Sequence, residues 1–276
     1  MDINKIYNED CLVTMNNMID NNIFVDVVLT SPPYNTARHS DNHKEDRLNN
    51  YEMRYSDYEE TKTLEEYNDW IVDIFNHYDR VLNKNGIVLF NISYGSENPN
   101  QMWLVIADII NKTNFMVGDS IIWKKSNALP NNMSCNKLTR ICEFVFVFCR
   151  KDEYLTYNAN KTISSTSKVG QNYYNSVYNF IEAKNNDGIT KVNKATFSTD
   201  FCLQLLNMYA QRESDILVYD SFMGTGTTAL ASKMYGVNYL GSEISSEQCE
   251  IANKRLKGYS LSSLNKKEDK GKNKLF

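Results

Sequence analysis

Leu29-Thr30-Ser31-Pro32-Pro33-Tyr34-Asn35 decides how the rest of this sequence is read. Directly before it stands Phe24-Val25-Asp26-Val27-Val28-Leu29, a β-branched and apolar run that predicts a buried parallel strand. The two prolines stop that strand: they fix φ, remove two backbone donors and hold the residue before them extended. Ser31 and the Pro32 carbonyl are thereby placed rigidly at the strand's carboxyl end, where open α/β sheets bind ligands. Such a turn suits the gripping of an exocyclic amino group. An aromatic amine is a poor nucleophile because its lone pair is delocalised, so fixed acceptors must hold its hydrogens and leave the lone pair facing an electrophile. The Ser31 hydroxyl and the Pro32 carbonyl supply acceptors, and Tyr34 offers a face to a flat base, a stack worth roughly 1–3 kcal/mol. The same tetrapeptide can also be no more than a rigid turn, and the rest of the chain decides between the two.

The chain of 276 residues is long enough for one large α/β domain with a smaller insertion. Its 42% hydrophobic and 23% charged residues are ordinary for a globular protein. No apolar run reaches the roughly 20 residues of a membrane span, and Met1-Asp2-Ile3-Asn4-Lys5 has no signal-peptide pattern, so the expectation is a cytoplasmic protein with no membrane partner. The cysteines at 11, 135, 142, 149, 202 and 249 form no C-x-x-C pair, which predicts reduced, buried thiols and no metal. His39 and His43 lie four apart, but in a polar stretch that reads as a solvated loop. The net charge of −4 hides an asymmetry: Ser120 to Ala195 holds eleven Lys and Arg against five Asp and Glu, a candidate nucleic-acid-facing surface.

Taken in order, Lys5 to Asp10 reads as a short strand ending in an acid, followed by a helix over 11–19 with Leu12, Met15, Met18 and Ile19 on one face. Asp10 can meet a cofactor amino group or simply cap that helix. Thr36 to Glu60 is polar and reads as a mobile flap, with Tyr51, Tyr55 and Tyr58 as candidate nucleic-acid contacts. Leu64 to Leu82 is an amphipathic helix stopped by Asn83-Lys84-Asn85-Gly86, and Ile87 to Ile92 is a second buried strand. A helix over 101–112, a strand over 116–123 and a strand over 140–148 continue the βαβ series, with an irregular, Asn-rich stretch between the last two. From Lys151 to Lys194 apolar periodicity is lost, which predicts an insertion that supplies contacts rather than core.

Ala195-Thr196-Phe197-Ser198 opens a further helix, and Asp215 to Asp220 is a third buried strand. Ser221-Phe222-Met223-Gly224-Thr225-Gly226-Thr227-Thr228 then turns into a helix whose free N–H groups and close glycines suit a ligand. It lacks the lysine of a nucleotide P-loop. The next strand, 237–243, ends in Glu243, an acid placed to hold ribose hydroxyls. A closing helix over 248–256 precedes a lysine-rich tail that reads as disordered.

The early Thr30-Ser31-Pro32-Pro33-Tyr34-Asn35 and the late Asp220-Ser221-Phe222-Met223-Gly224-Thr225-Gly226-Thr227-Thr228, in that order, resemble the S-adenosylmethionine-dependent DNA amino-methyltransferases of bacterial restriction–modification systems, in the permuted arrangement called the beta group. The resemblance runs from about Ile6 to Leu256. It implies a Rossmann-like, seven-stranded, mostly parallel α/β sheet, circularly permuted. The catalytic half would occupy residues 1–150, a target-recognition insertion 151–194, the cofactor-binding half 195–258 and the tail 259–276. Ser31, Pro32, Pro33 and Tyr34 are then the catalytic motif that holds and stacks a flipped base. Asp220, Phe222, Gly224, Gly226, Thr227 and Thr228 form the methionine-side loop for S-adenosyl-L-methionine. Glu243 is the ribose acid, Asp10 meets the adenine, and Thr196 with Phe197 lines the same site.

The implied partners are double-stranded DNA, a second copy of the chain in a homodimer, and a cognate restriction endonuclease; the implied setting is a bacterial or phage-encoded cytoplasmic enzyme. The chain departs from the commoner Asp-Pro-Phe at Ser221, and Ser rather than Asp at position 31 leans toward cytosine N4, with adenine N6 the alternative. Readings from other classes are an NAD-binding oxidoreductase, disfavoured because only one strand and helix follow the glycine turn, and a non-catalytic DNA-binding module, which leaves the adenosine-type pocket unexplained. Methylation of RNA or of a protein amide uses similar grips and stays open at this level.

Overall fold

The computed structural model describes residues 1–35, 62–93, 99–128, 135–136, 138–188, 197–210 and 215–259. The expectations for the flap with Tyr51, Tyr55 and Tyr58, for His39 and His43, for residues 129–134 of the Asn-rich stretch, for Thr196 and for the tail beyond Tyr259 lie outside the described residues.

Ten strands and six α-helices are described: β1 (Lys5–Tyr7), α1 (Cys11–Asp20), β2 (Val25–Thr30), α2 (Leu64–Val81), β3 (Leu82–Ile92), α3 (Gln101–Lys112), β4 (Phe115–Lys125), β5 (Cys142–Arg150), β6 (Ile163–Thr166), β7 (Asn172–Tyr174), β8 (Phe180–Ala183), α4 (Thr199–Tyr209), β9 (Leu217–Asp220), α5 (Thr227–Tyr235), β10 (Asn238–Ser242) and α6 (Ser246–Gly258). The main sheet runs β1-β10-β9-β2-β3-β5-β4-β8. Only β5 is antiparallel to its neighbours. β9 and β10, late in the chain, slot between β1 and β2, which is the permuted order expected from the two motifs.

Two details differ from the sequence reading. The sheet has eight strands rather than seven, because β8, from the 151–194 stretch, pairs in parallel with β4 from Ile122 to Lys125. Its Ile181 and Ala183 alternate inward while Phe180 and Glu182 face out, a two-residue period too short to register against a polar background. The thiols are also not uniformly buried: Cys135 is exposed and Cys142 half-buried, whereas Cys11, Cys149, Cys202 and Cys249 are buried.

Alternation along β2 and β3 sorts the core into two layers. Val28, Val88 and Phe90 pack under α1, α2 and α3, joined by Val25 across an irregularity between Val25 and Val27, with Phe75 of α2 edge-on to Phe90, Phe115 and Phe148. Val27, Leu29, Ile87 and Leu89 face α4, where Trp123 stacks on Phe201 at 4.2 Å between centroids. Helix α2 starts on a capping box, Thr63 and Glu66 each binding the other's backbone N–H, which satisfies two otherwise open donors. α6 closes the β10 side by setting Ala252 against the start of α5.

That last contact explains Gly226. Its φ is +81°, and a Cβ there would meet the Ala252 Cβ at 2.7 Å. Gly226→Ala combines left-handed strain with overpacking, and the expected loss is roughly 2–4 kcal/mol, read from a denaturant melt. A loss below about 0.5 kcal/mol would show that α6 yields at this point.

Candidate active site

β10, β9 and β2 run parallel and end at one level, since Gly241 pairs with Asp220 and Tyr219 with Val28. Each strand therefore delivers its following turn to the same edge of the sheet. β2 gives Ser31 to Asn35, β9 gives Ser221 to Gly226 and β10 gives Glu243.

The two turns are tied at their roots by a buried carboxylate. Asp220, 1% exposed, accepts from the Thr30 hydroxyl at 2.7 Å, the Thr228 hydroxyl at 2.6 Å and the Phe222 N–H at 3.0 Å. Burial raises this carboxyl from 3.8 to about 6, against the pull of those three donors. Asp220 thus shapes its own loop and the root of the Ser31 turn. The donors surrounding it belong to the protein.

The Ser31-Pro32-Pro33-Tyr34 turn is held from α2: the Tyr67 hydroxyl donates to the Pro33 carbonyl at 3.0 Å. Pro32 and Pro33 are buried, while Ser31 and Tyr34 remain half-exposed with their hydroxyls 3.3 Å apart. Asn35 donates to the Lys62 carbonyl at 2.6 Å, and its buried Oδ1 has no hydrogen-bond partner among the described residues.

Glu243 is fixed as an acceptor at the end of β10. Its Oε2 takes the Gly224 N–H at 2.7 Å and its Oε1 the Ser245 N–H at 2.9 Å. Gly224 has φ +54°, and that left-handed turn is what aims its N–H at the carboxylate. Phe222 is half-buried against Trp70, 5.5 Å between centroids, so an aromatic pair walls the space beside the turn.

Of the expected site residues, the structure brings together Ser31, Pro32, Pro33, Tyr34, Asp220, Phe222, Gly224, Thr228 and Glu243. Four others serve contacts of their own, Gly226 against Ala252 among them, and Thr196 lies outside the described residues. Asp10 caps α1 by accepting the Leu12 N–H at 2.8 Å. Thr227 accepts from the Arg255 guanidinium at 3.1 Å, toward α6. Phe197 packs on Phe201, 5.5 Å between centroids.

The sequence reading quoted Thr30 and Asn35 within their motif without giving them a role, and singled out neither Tyr67, Trp70 and Tyr78 nor Gly241 for the site. Tyr67, Trp70 and Tyr78 looked like ordinary members of an amphipathic helix, and only the packing of α2 shows them at the site. Gly241 could have been suspected as a glycine inside a strand, and it leaves room for the Met223 side chain.

A sheet of this order, with its turns converging at the carboxyl ends of β2, β9 and β10, defines the α/β methyltransferase fold. The chain belongs to the DNA methylase family, whose N6/N4 model matches residues 25–254. Among its relatives, the type II methyltransferase M.BglII of Bacillus subtilis is 26% identical over 275 residues, covering 93% of this chain and 69% of that protein. The orphan methyltransferase M.BamHII of Bacillus amyloliquefaciens is 28% identical over 274 residues, covering 85% of this chain and 89% of that protein. Of solved structures, the PvuII DNA methyltransferase (cytosine-N4-specific) superposes with a TM-score of 0.65 at 17% identity, covering 95% of this chain and 90% of that one. The M1.HpyAVI–SAM complex does so with a TM-score of 0.60 at 21% identity, covering 91% and 98%.

The buried carboxylate gives the site a pH signature. Because its folded-state value lies above the unfolded one, the folded protein binds the proton more tightly, and the stability Asp220 contributes is full below pH 3.8 and lost as pH rises through about 6. Asp220→Asn removes that titration, so the fall of the thermal midpoint across this window should flatten. An unchanged slope would assign it to another group.

Proposed function

We propose that this DNA methyltransferase transfers the methyl group of S-adenosyl-L-methionine to N4 of a cytosine flipped out of double-stranded DNA. The observation that carries the reading is the Thr30–Asp220 bond at 2.7 Å, which joins the root of an amine-gripping turn to the root of a glycine turn 190 residues away in the chain. Neither turn alone implies group transfer. Side by side at the end of a parallel sheet, they give one ligand an acceptor set and the other a backbone cradle.

The chain's own groups then do the following. Tyr34 stacks on the extruded base, and the Ser31 hydroxyl with the Pro32 carbonyl accepts its amino hydrogens, turning the lone pair outward. Tyr67 keeps the turn from moving by holding the Pro33 carbonyl. Glu243, pinned by the N–H groups of Gly224 and Ser245, accepts from ribose hydroxyls. Gly224 and Phe222 border the methionine side, Phe197 lines the remainder, and Asp10 serves the adenine end. When bound, the cofactor supplies a methyl group already activated as a sulfonium. Positioning therefore accounts for most of the acceleration.

Cytosine is preferred because a neutral Ser31 hydroxyl stands where adenine-specific relatives of this motif more often place a carboxylate. Residues 151–194 are proposed as the target-recognition region. They carry the antiparallel β6–β7 ribbon, with Tyr173, Tyr174 and Tyr178 at 50%, 55% and 77% exposure, and a two-stranded ribbon fits a major groove. A homodimer, a cognate restriction endonuclease and a cytoplasmic setting complete this reading. No helix among the described residues is long and apolar enough to cross a membrane.

Nucleoside mass spectrometry of unmethylated DNA incubated with the protein and S-adenosyl-L-methionine tests the base. N4-methylcytosine is expected, N6-methyladenine would replace the base and keep the mechanism, and no methylated nucleoside would overturn the reading. Tyr34→Ala should remove a stack of roughly 1–3 kcal/mol and act on base positioning, with cofactor affinity kept. Glu243→Ala should weaken cofactor binding by about tenfold or more, since it deletes charged hydrogen bonds. Equal cofactor affinity in Glu243→Ala and wild type would remove Glu243 from the ribose site.

A further inference from the structure

The hydroxyls behind the catalytic turn form a chain whose direction can be deduced. Each hydroxyl has one proton to donate. Thr30 gives its proton to the Asp220 carboxylate at 2.7 Å, so in its 3.2 Å contact with Ser221 it can only accept. Ser221 must therefore donate to Thr30, and Tyr78 in turn must donate to Ser221. The chain Tyr78→Ser221→Thr30→Asp220 runs from α2, through the turn after β9 and the last residue of β2, back to the end of β9. All four residues are buried.

The chain lies one residue from each working turn. Thr30 precedes Ser31, and Ser221 sits between Asp220 and Phe222. Neither Tyr78 nor Ser221 is among the groups assigned to base or cofactor. A proline at 221 would break the sequence of donors and leave the Tyr78 hydroxyl with no acceptor at Ser221, so the serine and the tyrosine belong together.

We propose that Tyr78 and Ser221 are positioning residues for methyl transfer: through Thr30 they fix the distance and angle between the Ser31–Tyr34 turn and the Asp220–Thr228 turn. This rests on the reading that the first turn holds the target base and the second the cofactor. Transfer between two bound ligands is sensitive to small misplacement, so loosening the chain lowers the rate of the chemical step more than it lowers binding. A merely structural role would instead reduce stability and leave the rate of the folded fraction unchanged.

The test is single-turnover methylation at saturating cofactor and DNA, alongside equilibrium dissociation constants for the cofactor alone and for DNA, in wild type, Tyr78→Phe, Ser221→Ala, the double variant and Ser221→Thr. The expected result is a fall in rate of about tenfold for Tyr78→Phe and for Ser221→Ala, with dissociation constants within about twofold of wild type. The double variant should be no slower than Ser221→Ala, because a chain once broken cannot be broken again and the stranded Tyr78 hydroxyl is gone. Ser221→Thr keeps the hydroxyl and should keep the rate; compared with Ser221→Ala, it carries the test if Tyr78→Phe does not fold. Rates within twofold of wild type in both single variants, or losses that multiply in the double variant, would overturn the proposal. No transfer by wild type would instead defeat the functional reading and take this proposal with it. A change of target base from cytosine to adenine leaves the comparison intact.

Discussion

A carboxylate removed from water must be matched by donors, and the arrangement around Asp220 follows from that constraint. The Thr30 hydroxyl, the Thr228 hydroxyl and the Phe222 N–H come from three different elements, and each is drawn to the same pair of oxygens. Thr30 ends β2, Phe222 lies in the turn after β9, and Thr228 is in the first turn of α5. Satisfying one buried charge therefore fixes the strand end that leads into the Ser31–Tyr34 turn, the loop after β9 and the helix that follows. Hydrogen bonds to a charged group are stronger than neutral ones, and their loss inside a dry core is correspondingly severe.

The layers around this point are conventional and serve it. α2 does most: its apolar face buries Phe75 among the aromatic rings of β3, β4 and β5, and its polar atoms reach the site through Tyr67 and Tyr78. One helix thus secures the core and steadies both turns. On the opposite face, α5 and α6 approach closely enough that Gly226 cannot carry a side chain. The crowding there comes from Ala252, which a side chain at 226 would meet. Gly224, two residues earlier, turns its N–H onto the Glu243 carboxylate.

The two motifs were legible because their constraints are local. Two prolines after a buried strand dictate a rigid turn wherever they occur, and Asp220 to Thr228 predicts a glycine turn feeding a helix from backbone chemistry alone. The order of the motifs also showed the permutation, and the sheet has it. Asp10 illustrates the limit: an acid between a strand and a helix fits a cap and a ligand equally well, and the cap that the structure shows does not exclude the second role. β8 shows another. Four residues in a polar stretch carry too little periodicity to be seen, and they become a strand because the edge of β4 from Ile122 to Lys125 offers them a partner.

By itself the sequence determined the fold class, the family, the two turns and the acid at the end of the last strand, since each is written in contiguous residues. Tertiary structure alone decided which residues cooperate: Thr30 with Asp220 across 190 positions, Tyr78 with Ser221 across 143, and Tyr67 with Pro33 across 34. The physical reason is that a hydroxyl or carboxylate in a sequence has no fixed partner until burial removes water from it. Only then must it find a donor or acceptor among the groups that packing has placed within reach.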